Sequence, residues 1–235
     1  MAKLRILSGG AAQGVVNALA SRFEKETGYQ IDGTFGAVGA MSAKLRAGEP
    51  ADLLILTSSL IAELAREGHL IARSASDIGV VQTAVAVRAG DPTPPIENAE
   101  SLRAALLNAD AIYFPDPDQA TAGIHFAKVL KNLGIWDDVS ARLERFPNGA
   151  TAMRELAKSQ RARPIGCTQT TEILNTPAVK LVGPLPQGFA LATVYTAAIS
   201  ANAAHPGPAE QLIAMIVSDE ARDLRQRAGF LRVGG

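Results

Sequence analysis

Three short segments of the sequence are rich in glycine and alanine, and each separates an apolar run from an amphipathic one. They are residues 8–14, 34–40 and 114–123. The first N–H groups of a helix have no partner within the helix and carry partial positive charge, so a helix that begins in such a segment attracts anions. Glycine and alanine also let a ligand approach the backbone closely. Because none of the three segments contains lysine or arginine, they predict an oxyanion or carboxylate held by uncharged groups.

Uncharged groups within these segments are the first candidate ligand-binding residues. Gly10 and Gly36 would contribute backbone N–H groups, and the alternative interpretation is an ordinary strand-to-helix turn. Gln13 and Thr121 have side chains that donate hydrogen bonds to an anion, although Thr121 would equally serve as the cap of its helix.

A second group of polar residues lies near the predicted end of a buried strand over 164–168. Thr168 and Gln169 are placed at its carboxyl end, where open α/β sheets bind ligands. Asn148 precedes a predicted helix and either caps that helix or contacts the ligand. Cys167 has no histidine beside it, so we interpret it as a small buried residue rather than a nucleophile.

If the protein is an enzyme, three residues are the candidates for proton transfer. Asp118 follows Pro117, where a turn is the simpler interpretation. His125 lies one turn into a predicted helix and either reaches the site or packs against its lobe, and Tyr195 lies in a predicted strand, where packing is the simpler account. No spacing of histidine, aspartate and glutamate indicates a metal centre, and no nucleotide-binding loop occurs, so we expect neither a metal nor a cofactor.

The charge balance argues against several classes of partner. Lysine plus arginine equals aspartate plus glutamate, at 23 each, so the basic surface expected of a nucleic-acid binder is missing. No apolar run is long enough to cross a bilayer, which argues against membrane insertion. We expect a globular monomer whose partner is a small anionic ligand.

The beginning of the sequence bears on localisation. Residues 1–7 lead directly into a predicted strand, without an apolar export segment and a small-residue cleavage site, so the sequence as written predicts a cytoplasmic protein. A sequence from which a signal peptide had been trimmed would begin in the same way, and a periplasmic protein would then be expected.

Apolar and amphipathic stretches alternate along the chain. Strands are predicted near residues 4–7, 29–35, 51–56, 83–87, 111–114, 164–168, 179–182 and 192–200, with helices between them and two closing helices over 208–217 and 219–227. This alternation predicts an α/β fold in which each lobe has a mostly parallel sheet with flanking helices. We place lobe 1 at residues 1–82 and 196–235 and lobe 2 at 83–195, joined by a two-strand hinge.

Several segments resemble the molybdate-binding members of the type 2 periplasmic solute-binding proteins. They are Phe-Gly-Ala-Val-Gly at 35–39, Gly-Glu-Pro-Ala-Asp-Leu at 48–53, and Asp-Pro at 116–117 followed by Thr-Ala-Gly at 121–123. The likeness extends over essentially the whole chain, to Ala-Gly-Phe at 228–230. The resemblance implies two α/β lobes, a hinged cleft between them, and a ligand held at helix N-termini.

The resemblance also implies site residues. The two serines whose hydroxyls contact the oxyanion in the family match Ala11 and Val38, so both hydroxyls are replaced here. The backbone donors of the family's second lobe match Ala122 and Gly149, and its ligand-contacting tyrosine matches Gln169. These replacements point away from molybdate or tungstate and towards a different anion.

Two functions follow from these observations. The first is a solute-binding protein that closes on a small anion, either a carboxylate metabolite or a tetrahedral oxyanion, in an interlobe cleft. For an exported protein, the resemblance implies the membrane subunits of an ABC importer as partners. The alternative is an isomerase of a small polycarboxylic acid, since an aconitate isomerase resembles the same group, and such chemistry requires carboxylate binding and proton transfer. The residues leave the choice between a binding protein and an enzyme open.

Overall fold

The computed structural model describes residues 2–233, which form two compact units. Residues 2–81 together with 193–233 form the first unit, and Gln82–Ala192 forms the second. The chain passes from the first unit to the second after Val81 and returns after Ala192. The boundaries that we predicted from the sequence lie after residues 82 and 195.

Strands and helices alternate along most of the chain. The strands are β1 (Ala2–Gly9), β2 (Tyr29–Gly36), β3 (Leu53–Thr57), β4 (Ser76–Arg88), β5 (Ala111–Pro115), β6 (Leu143–Phe146), β7 (Pro164–Gln169), β8 (Val179–Pro184) and β9 (Ala192–Ile199). The helices are α1 (Gln13–Thr27), α2 (Val38–Arg46), α3 (Ser58–Arg66), α4 (Ala99–Asn108), α5 (Thr121–Asn132), α6 (Trp136–Val139), α7 (Gly149–Lys158), α8 (Thr170–Leu174), α9 (Pro206–Val217) and α10 (Arg222–Arg227). Short 3-10 turns cover Gly10–Ala12, Ala72–Ser74 and Ser140–Arg142.

The first unit is built on a sheet in which β1 lies between β2 and β3 and is parallel to both. Strand β9 pairs with β3 in the antiparallel direction. All five residues of β3 are buried and apolar except Thr57, a composition typical of an interior strand covered on both faces. Helix α1 packs against α9 and ends at Gly28, whose φ of +76° provides the left-handed cap that a residue with a Cβ atom would resist.

The second unit has a mixed sheet. Strand β5 lies between β6 and β7 and is parallel to both, and β4 pairs in the antiparallel direction with β7 and with β8. One face of this sheet carries the core that contains Val85, Phe126 and Cys167. The other face carries a smaller core around Ala84 and Met153. Because successive residues of a strand point to opposite faces, adjacent residues of β4 contribute to different cores.

Several elements differ from the sequence-based expectation, among them β4, which begins at Ser76 and not at Thr83. Strand β6 and the short helix α6 were not predicted, since the four residues of β6 are at most half-buried and show no apolar run. Helix α10 begins at Arg222 and not at Asp219. The Ser218 hydroxyl accepts a hydrogen bond from the Ala221 N–H group, which holds the intervening residues in a turn before the helix begins.

Within residues 2–233, no helix combines the length and the apolar character that crossing a bilayer requires.

Candidate functional site

The first unit brings the first two glycine-containing segments to one edge of its sheet. Strands β1 and β2 are parallel and in register, with Gly9 opposite Gly36, so both strands end at the same level. A 3-10 turn and then α1 follow β1, whereas α2 follows β2 after the single residue Ala37. The carboxyl edge of this parallel ladder therefore places the beginnings of two helical segments next to each other.

Neither helical segment at this edge has a side-chain cap. Gly9 precedes the 3-10 turn, Ala12 precedes α1 and Ala37 precedes α2, and none of them makes a capping hydrogen bond. By contrast, the Thr57 hydroxyl accepts a hydrogen bond from the Leu60 N–H group at the beginning of α3. Glycine and alanine have no side-chain acceptor, so the first N–H groups of these segments must find partners elsewhere.

The predicted ligand residues of the first unit lie at this edge. Gly10 and Gln13 are half-buried, whereas Ala11, Gly36 and Val38 are buried. Gly9, which belongs to the first glycine-containing segment, is closely surrounded: a Cβ atom added there would lie 2.9 Å from Val38 Cγ1 and 3.0 Å from Tyr195 Cε1. Glycine at this position thus lets the chain turn close to two larger side chains.

The second unit has an equivalent edge, formed by the ends of its three parallel strands. Strands β5, β6 and β7 end at Pro115, Phe146 and Gln169, and α5, α7 and α8 begin after them. Ala120 precedes α5 and makes no capping hydrogen bond. The third glycine-containing segment therefore ends in an uncapped helix, which begins with Thr121 and Ala122.

Gly123 allows α5 to begin close to the strand that precedes it. A Cβ atom added at Gly123 would overlap the carbonyl oxygens of Pro115 and Asp116. The Asp116 carboxylate accepts hydrogen bonds from the N–H groups of Asp118 (2.7 Å) and Gln119 (2.9 Å). This loop is an Asx turn, and Asp118 itself is exposed.

The beginning of α7 differs from that of α5, because most of its first N–H groups have hydrogen-bond partners within the chain. The Asn148 side chain accepts a hydrogen bond from the Thr151 N–H group at 2.9 Å. The Glu172 carboxyl group accepts hydrogen bonds from the N–H groups of Ala150 and Gln169. Thus Asn148 acts as a helix cap, and two of the first three N–H groups of α7 have partners within the chain.

Glu172 is a buried acid that we did not predict from the sequence. Its side chain receives a hydrogen bond of 2.5 Å from the Thr168 hydroxyl, and it is 6% exposed. Burial raises the pKa of Glu172, although the donated hydrogen bonds from Thr168, Gln169 and Ala150 act in the opposite direction. A Cβ atom added at Gly149 would overlap both Glu172 and Thr168. The only sequence signal for this pair is a threonine and a glutamate four residues apart, on either side of a strand end.

Four buried side-chain atoms have no hydrogen-bond partner among the described residues. They are both polar atoms of the Gln169 amide and the hydroxyl oxygens of Thr83 and Thr171. Gln169 and Thr83 are opposite each other on neighbouring strands. We predicted Gln169 as a ligand residue but not Thr83, because the pairing of β4 with β7 cannot be deduced from sequence spacing.

The candidates for proton transfer have other contacts. His125 is half-buried, and its Nε2 atom lies 2.6 Å from the carbonyl oxygen of Phe189, so Nε2 carries a hydrogen in this contact. Tyr195 is buried and packs edge-to-face against Phe230 with ring centroids 6.4 Å apart. Tyr195 belongs to the first unit and His125 to the second. Across residues 2–233, no group of three or more histidine, cysteine, aspartate or glutamate side chains could hold a metal ion.

Comparison with known proteins identifies the family. The model of a family described as bacterial extracellular solute-binding protein matches residues 4–231. The chain belongs to this family. The match extends over both units and confirms the resemblance to solute-binding proteins that the sequence motifs indicated.

Three relatives show what this solute-binding protein is similar to. It is 26% identical to an aconitate isomerase of Pseudomonas sp over 97% of this chain and 87% of the relative. It is 24% identical to the molybdate-binding protein ModA of Escherichia coli (strain K12) over 79% of this chain and 72% of the relative. The solved periplasmic molybdate-binding protein of Azotobacter vinelandii superposes with a TM-score of 0.80 at 20% identity, covering 98% of this chain and 99% of that one. This last likeness confirms the predicted α/β fold of the type 2 periplasmic binding proteins.

We expect Gly123→Ala to destabilise this solute-binding protein by about 1–3 kcal/mol, because the added methyl group would overlap backbone oxygens that cannot move independently. Urea unfolding measures the change in the free energy of unfolding. Gly207→Ala in α9 is the matched control, since a Cβ atom there has no neighbour within 4 Å. Equal stabilities of the Gly123→Ala and Gly207→Ala proteins would contradict the close approach of α5 to the end of β5.

We also expect a pH-dependent contribution from Glu172. The pKa of Glu172 in the folded protein is raised above its ordinary value near 4.5. Between that ordinary value and the raised pKa, the folded state therefore binds more protons than the unfolded state. Stability from this group is fully present at lower pH and is lost over that window. The stability advantage of the wild type over Glu172→Gln should therefore shrink as the pH rises, as measured by thermal unfolding. Glu210→Gln removes the same charge at an exposed position of α9 and is the reference variant. A stability difference for Glu172→Gln that stays constant with pH would refute the raised pKa.

Proposed function

We propose that this protein binds a small anion through backbone N–H groups at the beginnings of α2, of α5 and of the 3-10 turn Gly10–Ala12 that leads into α1. The observation that supports this most directly is the choice of residues before these helices. Gly9, Ala37 and Ala120 offer no capping side chain before the 3-10 turn that leads into α1, before α2 and before α5, whereas α3 and α7, which also follow strand ends, are capped by Thr57 and Asn148.

The physical basis of binding is a set of fixed donors with partial positive charge. An N–H group that donates to an anion contributes roughly 1.5–3 kcal/mol, and the helix dipole adds attraction over the first turn. The three glycine-containing segments contain no lysine or arginine. The anion would thus be recognised by neutral donors, as occurs at many helix N-termini.

We propose an organic carboxylate as the ligand in preference to a tetrahedral metal oxyanion. The name of one relative is molybdate-binding protein, but Ala11 and Val38 stand where we matched the two ligand serines of the molybdate-binding group. Both side chains are apolar and buried. Two missing hydroxyl donors would reduce affinity for such an oxyanion by several orders of magnitude.

For an exported protein, we propose that the partners are the membrane subunits of an ABC importer, in keeping with the family to which the chain belongs. A protein that remains in the cytoplasm would instead act as a sensor of the ligand or as an enzyme.

A second candidate function is isomerisation of a small polycarboxylic acid. The observation that favours it is the similarity to a protein named aconitate isomerase along 97% of this chain. His125, Asp118 and Tyr195 are the candidates for proton transfer. Incubation with cis- or trans-aconitate in deuterated water tests this function, because proton transfer at carbon would introduce deuterium detectable by NMR. The same spectra report conversion between cis- and trans-aconitate, so tight binding with neither deuterium incorporation nor interconversion of the two isomers would exclude the isomerase and leave the binding protein.

The proposed binding is tested by removing a single backbone donor. Thr121 is the first residue of α5 and follows Ala120 in an extended conformation, so Thr121→Pro fits the helix while removing one N–H group. We first expect at least one of molybdate, sulfate, phosphate, citrate, aconitate and malate to raise the melting temperature. Thr121→Pro should then weaken that ligand about tenfold or more in calorimetric titration, whereas Thr121→Val keeps the N–H group and should weaken it less.

The control for this substitution is Ala99→Pro, at the first position of α4, which Asn98 caps. This variant should keep full affinity. Val38→Pro makes the equivalent change at the beginning of α2 and should also weaken binding. If Val38→Pro binds the ligand with unchanged affinity, the sheet edge of the first unit is not part of the proposed site. If Thr121→Pro binds with unchanged affinity, α5 is not part of it.

A further inference from the structure

Two buried polar side chains of the second unit, Gln169 and Thr83, have no hydrogen-bond partner among the described residues. Gln169 is 3% exposed and Thr83 is 0% exposed. Both amide atoms of Gln169 and the hydroxyl oxygen of Thr83 are unpartnered. Buried polar atoms are almost always hydrogen-bonded in folded proteins, so three such atoms at one place require an explanation.

The two side chains lie next to each other. Strands β4 and β7 are antiparallel and pair Thr83 with Gln169, and directly opposed residues of such strands point to the same face of the sheet with their Cβ atoms about 5 Å apart. Two residues further along each strand, Val85 and Cys167 belong to one core together with Phe126 of α5. The pair therefore points to the face that α5 covers.

The other face of β7 carries a different set of polar groups. Thr168 points there and donates to Glu172, so its hydrogen-bonding capacity is used within the chain. Gln169 and Thr83 differ because they lie on the face of α5, whose beginning is uncapped. The unpartnered side-chain atoms of Gln169 and Thr83 therefore lie on the face of the sheet that carries the uncapped helix α5.

We propose that Gln169 and Thr83 form a polar subsite that binds a hydroxyl or protonated carboxyl group of the ligand. This inference rests on the proposed anion binding and specifies its ligand as a hydroxylated or partly protonated polycarboxylic acid. The amide oxygen of Gln169 only accepts hydrogen bonds. Sulfate and molybdate are fully ionised and offer only acceptors, so they leave this oxygen unpaired, whereas a hydroxyl group donates to it and accepts from the amide nitrogen or from Thr83.

The assignment of oxygen and nitrogen within the Gln169 amide does not affect this conclusion. Both atoms are unpartnered, so rotating the amide by half a turn leaves one donor and one acceptor unsatisfied in either orientation. A group that can donate and accept at once satisfies both orientations.

The test compares pairs of acids that differ by one hydroxyl group. Citrate is compared with tricarballylate, and L-malate with succinate, with sulfate as the fully ionised oxyanion. In calorimetric titrations of the wild type, we expect the hydroxylated member of the pair that binds to be favoured tenfold or more, because the analogue leaves buried polar atoms unpaired. Gln169→Met and Thr83→Val should bring the ratio towards one, and Thr83→Ser, which keeps the hydroxyl group, should preserve it.

The stability of the ligand-free variants provides a second measurement. Because Gln169→Met and Thr83→Val remove unpaired polar atoms with little change in volume, their melting temperatures should equal or exceed that of the wild type. A clear fall would show that these side chains support the fold and would overturn the subsite. Equal affinities within both pairs, or sulfate binding more tightly than the hydroxy acids, would also overturn it while leaving anion binding intact. If none of the five anions binds, the proposed function fails together with the subsite.

Discussion

The requirement that the first N–H groups of a helix find a partner governs the candidate site. Asparagine or threonine before a helix supplies that partner from within the chain, as Asn98 does for α4. Glycine and alanine supply none; Gly9 precedes the 3-10 turn that leads into α1, and alanine precedes α2 and α5. Among the described residues, α6, α8, α9 and α10 also have no side-chain cap, and α9 begins with Pro206, which has no N–H group to satisfy. What α1, α2 and α5 share is that each follows the carboxyl end of a parallel strand.

At one edge of the second unit's sheet, α7 and α5 differ in whether a side chain satisfies their first N–H groups. At α7, the Glu172 carboxyl group and the Asn148 side chain occupy the N–H groups, so that helix end is completed within the fold. At α5 no side chain has that role. Gly149 and Gly123 make both arrangements sterically feasible, since a Cβ atom at either position would overlap the groups beneath it. At this edge, α7 therefore has most of its first N–H groups satisfied within the fold, whereas α5 begins without a side-chain cap.

Much of the fold was predictable from sequence, because periodicity and helix-stopping glycines are local signals. The buried run of β3 and the stop of α1 at Gly28 are examples. Strand β6 was missed because its residues are only half-buried. The site was predictable only in part: the glycine-containing segments are visible in the sequence, whereas Glu172 and Thr83 acquire meaning through the neighbours of Gly149 and the pairing of β4 with β7. Such long-range contacts have no local signature.

Recognition by neutral donors has a consequence for selectivity. The ammonium group of a lysine is a compact charge with rotatable donors that imposes little direction on an anion, and salt weakens its attraction. Backbone N–H groups have fixed directions, so they distinguish anions by shape and by where the acceptors lie. An amide such as Gln169 adds a requirement for a donor on the ligand, which charge alone cannot impose. Specificity then arises from the penalty for leaving a buried group unpaired. Under the proposed function, uncharged loops and an unpartnered amide would be two parts of one mechanism for selecting among anions of equal charge.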